Sequence, residues 1–284
     1  MIPKVIHYCW FGGNPLPELA QRCIASWKKY CPNYEIKEWN ENNFDLSVCD
    51  YVKEAYDAKK WAFASDYARL DIIYHNGGIY LDTDVELLKP LDEFLEASAF
   101  FGAESTGFVA TGLGFGAEKK NKVVKRMLDE YTNIHFKKLD GTFDTTPCPR
   151  RNTKPLEEEG YRFSEKEIWK AKDVIVFPPK YFCPIDYRTG RIMITDRTYS
   201  IHHYSALWLS DEERYYGELA QKIACAFPKF PHKIGSLIAR LLPLQNSKGL
   251  NLCWQKHVDG SNVMGNEGLK HSNREIMHIN DIKT

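Results

Sequence analysis

Two carboxylates one residue apart, Asp82 and Asp84, stand in the stretch GGIYLDTDVELLKP. On an extended chain, side chains two apart point to one face. The pair therefore faces one spot, with Ile79, Leu81 and Val85 packed on the other side. Adjacent carboxylates repel, and burial penalises their charge further. A cation has to offset both costs. Hard oxygen ligands select Mg2+ or Mn2+ over Zn2+, and such ions are commonly held by one or two carboxylates plus substrate phosphates. The chemistry read here is a divalent metal that meets a diphosphate.

The same letters fit a rival. YLDTDVE also matches the hydrophobic-D-x-D-x-[TV] nucleophile strand of haloacid-dehalogenase-type phosphatases, where the first Asp attacks phosphorus. That motif normally opens its domain, whereas a long alternating strand and helix pattern precedes Asp82 here. A non-catalytic glycan- or nucleotide-binding module is the third reading.

Other residues could serve the same site. Asp66 and Arg69 are three apart on a helical pattern, so they share a face, either as a local ion pair or as a polar fork for hydroxyl groups. His202 and His203 alternate on a late strand pattern, so only one can face a site. Trp10 precedes Gly12-Gly13 at the end of a first strand pattern, either as a core residue or as a stacking surface. His7, inside that strand, reads as a structural histidine bonding the sheet end.

The elements that must position these residues follow from periodicity. Strands are expected in PKVIHYCWFGG, YEIKEWN, GIYLDTDVELL, AFFGAES, GLGFGAEK, DVIVFPPKYFCP and YSIHHYSALWL. Helices are expected in PELAQRCIASWKKY, DYVKEAYDAKK, WAFASDYARLDIIYHNGG and NKVVKRMLDEYTNIHF. Residues 138–165 read as a long polar connection. Alternation of strand and helix predicts an α/β sheet with crossover helices.

Composition narrows the function classes. The 284 residues are 43% hydrophobic and 27% charged, an ordinary globular balance, and 38 basic side chains match 38 acidic ones. A neutral balance argues against nucleic acid as partner. Eight cysteines lack any C-x-x-C pair, and MIPKVIHYCWFGG has no leader pattern. Reduced, buried thiols and a cytoplasmic location are expected.

Three blocks together, IPKVIHYCWFGG, WAFASDYARLDIIYHNGGIYLDTDVELLKP and YSIHHYSALW, resemble the family 32 glycosyltransferases. These include capsular-polysaccharide and yeast initiating-mannosyltransferase-like enzymes, similar in their core to the clostridial glucosylating toxins. The resemblance spans roughly the first 210 residues, and S-D-x-x-R followed by G-G-I-Y-L-D-T-D carries it.

It implies a GT-A fold, that is, a mixed and mostly parallel sheet flanked by helices, with a nucleotide-sugar donor, a divalent metal and retained anomeric configuration. On it, Asp82 meets the donor's ribose and sugar, Asp84 ligates the metal, and Asp66 with Arg69 grips the donor sugar. Trp10 would stack on the uracil of a UDP-sugar, His203 is the late metal ligand, and Trp208 lies near the diphosphate. Leu207 departs from the small hydroxyl residue usual before that Trp, so a metal or phosphate contact from that position is either lost or shifted to Ser205.

Three regions are expected: a catalytic domain over 1–216, a helical basic and apolar segment over 217–243, and a polar extension over 244–284. The middle segment either closes the sheet or lies on an anionic membrane. The acceptor would be a glycan or a lipid-linked oligosaccharide in surface polysaccharide synthesis.

Overall fold

The computed structural model describes residues 1–186, 191–205 and 211–226. Its centre is a seven-stranded sheet in the order β2-β1-β3-β6-β5-β8-β7. The strands are β1 (Val5–Cys9), β2 (Glu35–Trp39), β3 (Gly78–Tyr80), β5 (Ala99–Gly102), β6 (Phe115–Ala117), β7 (Trp169–Ala171) and β8 (Val174–Phe177). β6 and β7 run against the other five, so the sheet is mixed and mostly parallel. β4 (Val85–Leu87) leaves this sheet to pair with β11 (Ser200–His202), and β9 (Ile185–Asp186) pairs with β10 (Arg191–Ile192). The helices are α1 (Glu18–Tyr30), α2 (Asp50–Asp57), α3 (Trp61–Asn76), α4 (Lys122–Asp129), α5 (Cys148–Glu158) and α6 (Asp211–Ala226).

Strand alternation divides the core into two layers. Ile6, Tyr8, Ile79 and Phe100 pack with Trp27 and Ile24 of α1. Cys9, Tyr80, Phe101 and Phe115 pack with Ala64, Ala68 and Ile72 of α3 and Val124 of α4. A sheet covered on both faces explains the near-continuous apolar strands in the sequence.

Three features of this frame set the site. First, α3 ends on Gly77, whose N–H donates to Ile73 O at 2.8 Å with φ +70°, and Gly78 follows at φ +103°. That left-handed pair is where glycine is favoured. It is also crowded, because a Cβ on Gly78 would lie 2.8 Å from His7 Nε2. His7 bonds Gly77 O through Nε2 at 3.0 Å and accepts from Trp39 Nε1 at Nδ1, also at 3.0 Å. It thus ties β1, β2 and the helix end together.

Second, the expected third strand is two strands. β3 stops at Tyr80, the chain turns through Thr83 and Asp84, and Val85 N–H closes the turn on Asp82 O at 3.0 Å. The aspartates therefore lie in a turn, and strand alternation is not what brings them together. Ile79, Leu81 and Val85 are buried in one layer, as expected. Third, α5 lies within the stretch read as a connection. Pro149, Pro155 and several weak helix formers hide it in the sequence. Burial of Cys148, Asn152, Thr153 and Leu156 holds it in place.

α6 runs across residue 216, and the remainder of the basic segment and the polar extension, from residue 227, lies outside the described residues. Among the described residues no helix is long and apolar enough to cross a membrane.

Candidate functional site

The first half of the site hangs on α3. Arg69 is only 4% exposed and sits at the centre of a fork. Its Nη1 lies 3.0 Å from Asp66 Oδ1 and its Nη2 lies 3.1 Å from Asp82 Oδ1. The guanidinium also lies over the Tyr80 ring, whose hydroxyl donates to Asp82 Oδ1 at 3.1 Å. Cys148 Sγ lies 3.5 Å from Nη1, so α5 forms a wall of this pocket. Burial pushes the Asp66 carboxyl up to about 6, with Arg69 pulling the other way. Burial likewise raises Asp82, again opposed by Arg69.

The loop between β5 and β6 closes on Asp82 from another side. Asp82 N–H donates to Gly112 O at 3.2 Å. A Cβ on Gly112 would stand 2.2 Å from Asp82 Oδ2, so glycine is needed for close approach. Thr111 is fully buried and accepts from Asn152 Nδ2 of α5 at 2.8 Å.

The second half is assembled by β11. Its antiparallel register sets His202 opposite Val85, next to the turn. His202 Nε2 lies 3.1 Å from Asp84 Oδ1. Ser205 donates to Asp84 Oδ2 from both its N–H and its hydroxyl, each at 2.8 Å. Burial alone would raise the Asp84 carboxyl, but His202 and the Ser205 bonds outweigh it and hold it well below the ordinary carboxylate range. For His202, burial is outweighed by Asp84, which lifts the imidazole above its usual value.

Ligand atoms of Asp82, Asp84 and His202 all lie within 4.8 Å of one another. His203 does not join them. Its ring turns to Glu86, with Nε2 2.9 Å from Oε2. The expectation for His203 is corrected by one residue, because the two side chains leave the strand on opposite sides and β4 pairing gives the aspartate side to His202. Asp66, Asp82 and Asp84 together face one guanidinium and one imidazole, so the cluster keeps an excess of negative charge. Two carboxylates and an imidazole suit Mg2+ or Mn2+, and a cation held there would take the place of the proton between His202 and Asp84.

Trp10 follows β1, half-buried, with its indole Nε1 donating to Asn14 O at 2.6 Å. Trp208 and Leu207 lie outside the described residues. Gly112, Cys148 and Asn152 were not singled out in the sequence. Gly112 stands in the glycine-rich stretch TGLGFG, which a turn explains equally well, and nothing in the sequence marks α5.

Residues 17–101 match the family described as "Glycosyltransferase sugar-binding region containing DXD motif". An uncharacterized glycosyltransferase of Acanthamoeba polyphaga mimivirus is 34% identical over 113 residues, covering 36% of this chain and 43% of the viral protein. Inositol phosphoceramide mannosyltransferase 3 of Schizosaccharomyces pombe is 30% identical over 153 residues, covering 51% of this chain and 43% of the yeast protein. Among solved structures, the PaToxG glycosyltransferase aligns with a TM-score of 0.44 at 20% identity, over 56% of this chain and 70% of its own. The chain spans less than half the length of these two curated relatives. The matched segment contains Asp66, Arg69, Asp82 and Asp84.

Proposed function

We propose that this protein is a metal-dependent, retaining glycosyltransferase that moves a sugar from a nucleotide-sugar, a UDP-sugar, to a glycan or lipid-linked acceptor. The observation that carries the reading is the meeting of the Asp66–Arg69–Asp82 fork with the Asp82–Asp84–His202 cluster. A sugar diphosphate needs both: hydroxyl-binding groups at one end and charge neutralisation at the other. The resemblance of the motifs to the family 32 enzymes supports this reading, and similarity to a yeast protein named inositol phosphoceramide mannosyltransferase 3 supports a lipid-linked acceptor.

Asp84 and His202 would hold Mg2+ or Mn2+, which supplies Lewis-acid neutralisation of the leaving diphosphate. Asp66, Arg69 and Asp82 bind and orient the sugar hydroxyls, so the donor is held in one reactive geometry. Trp10 stacks on the nucleobase, and Trp208 borders the diphosphate. In the transfer, the bond from the anomeric carbon to the phosphate oxygen breaks. A bond from that carbon to the acceptor oxygen forms on the same face. The acceptor's proton passes to the departing phosphate oxygen. Asp66, held by Arg69, orients sugar hydroxyls and plays no part as a base in this scheme. The site works at the inner face of the membrane if the acceptor is lipid-linked.

The test is a screen of nucleotide sugars with and without Mn2+, read by release of nucleoside diphosphate. One preferred donor, turned over slowly by water and only with metal, is expected. Release of inorganic phosphate from simple esters without turnover of any donor would instead establish the phosphatase. No turnover and tight nucleotide binding would establish a binding module.

A further inference from the structure

Three of the four residues from His202 to Ser205 meet Asp84, and between them they reach its carbonyl and both carboxylate oxygens. His202 Nε2 faces Oδ1, His203 N–H donates to the Asp84 carbonyl at 3.0 Å, and Ser205 donates twice to Oδ2. A strand continuing straight could not do this, because its successive groups move steadily away from one residue. The chain has to bend back between His203 and Ser205. It does so at Tyr204, which adopts φ +49°. For a bulky side chain such a left-handed conformation is unfavourable and persists only where its surroundings enforce it. The other described non-glycine residues with positive φ, Lys59, Lys120 and Lys172, are lysines in ordinary turns.

What enforces it is visible around the ring. The Tyr204 hydroxyl lies 2.9 Å from Cys183 Sγ, and Cys183 is buried beside β9. The carboxylate of Glu104, from the loop after β5, also faces that hydroxyl. The Tyr204 ring stands edge-on to the His202 imidazole, with centroids 4.2 Å apart. One side chain therefore anchors the bend at its far end and braces His202 along its flank.

We infer that Tyr204 is a positioning residue for the metal site, a left-handed bend pinned between Cys183 and Glu104 that holds His202 and Asp84 in register before any cation arrives. This rests on the metal reading above. Its work is preorganisation, because groups already fixed in place lose less freedom when the ion binds. The Tyr204 hydroxyl supplies the pin and the ring supplies the brace, so their removal is separable.

The test is a titration of the full chain with Mn2+ alone, read by the electron paramagnetic resonance of the free ion, for wild type, Tyr204→Phe and Tyr204→Gly. Gly tolerates the bend but has neither pin nor brace, whereas Phe keeps the brace. The expected order of Mn2+ affinity is wild type, then Phe, then Gly. The Gly variant should bind about 10–100-fold more weakly, the range seen when outer partners of metal ligands are removed. Phe should restore part of that loss. Equal Mn2+ affinity in folded wild type and Tyr204→Phe and Tyr204→Gly variants overturns the inference and leaves the metal reading standing. A Gly variant that fails to fold leaves the decision to Phe, where unchanged affinity overturns it and a loss of about threefold or more, with the far-ultraviolet spectrum unchanged, supports it. A wild type that binds no Mn2+ overturns both readings.

Discussion

The carboxylate of Asp82 rests directly against the backbone of Gly112, with space for a hydrogen but not for a methyl group: a Cβ there would fall 2.2 Å from Oδ2 and 3.4 Å from Arg69 Nη1. Gly112→Ala must therefore push Asp82 off Arg69 or move the loop. Misplacement by about an ångström costs roughly a hundredfold in well-oriented reactions. We expect donor turnover per unit KM to drop by about that factor, with a loss of stability of only ~1–3 kcal/mol from overpacking. Steady-state kinetics beside a thermal melt measures both. Near-normal kinetics would mean that Asp82 is not held in a reactive position.

The two adjacent histidines give a sharp comparison. His202→Ala should weaken Mn2+ binding by at least about tenfold, since it removes a group at the cluster itself. His203→Ala loses only the contact with Glu86, which is over a third exposed, and should leave Mn2+ affinity within about twofold. Calorimetric titration with Mn2+ and UDP reads the pair. The reverse ranking would restore His203 to the role the sequence suggested.

Arg69 offers a stability prediction. Arg69→Met would leave the half-buried Asp66 and Asp82 without their cation, and since breaking a fully buried pair costs on the order of 3–5 kcal/mol, a loss toward the lower end of that range is expected. Arg69→Lys should not rescue it, because a point charge cannot reach two carboxylates as the planar fork does. Adding Asp66→Asn to Arg69→Met should recover part of the loss. Urea denaturation provides the values, and an Arg69→Met variant as stable as wild type would show that the fork is solvated.

How much of this was legible beforehand depends on range. The α3 face carrying Asp66 and Arg69, and the Gly77-Gly78 stop, follow from local periodicity and turn chemistry, and they stand where expected. Asp82 and Asp84 were legible as a pair, but not the turn that joins them. That turn exists because β4 leaves the sheet for β11, more than a hundred residues later, and no local pattern records such a partner. The choice between His202 and His203 turns on the same pairing. α5 was illegible for another reason. Pro155 lowers helix propensity in its interior, and burial of Cys148, Asn152, Thr153 and Leu156, with the bonds of Asn152 and Thr153, outweighs it.

The last prediction concerns pH and His7. Burial holds its imidazole down at about 4 against an ordinary 6.5, and the bond to Gly77 O recovers only part of that. The ring is neutral in the native protein, with a proton on Nε2 for Gly77 and a lone pair on Nδ1 for Trp39. Between pH 6.5 and about 4 the unfolded chain takes up a proton that the folded chain refuses. Stability therefore rises with pH across that window and is lost as pH falls through it. The full effect is on the order of 3 kcal/mol, from a shift of about two and a half pH units. Asp66 works in the opposite direction. Its folded value of about 6 lies above its ordinary 3.8, so the native state binds the extra proton between those values and gains stability as pH falls. A wild-type curve alone would mix the two. Comparing wild type with His7→Gln separates them, since Asp66 is common to both and glutamine does not titrate. We expect the stability advantage of wild type at pH 7 to shrink by roughly 2–3 kcal/mol by pH 4.5. Guanidinium unfolding at half-unit steps of pH measures it. A gap that stays constant would mean that His7 titrates as freely in the fold as in the open chain, and that its bonds to Gly77 and Trp39 do not fix its neutral form.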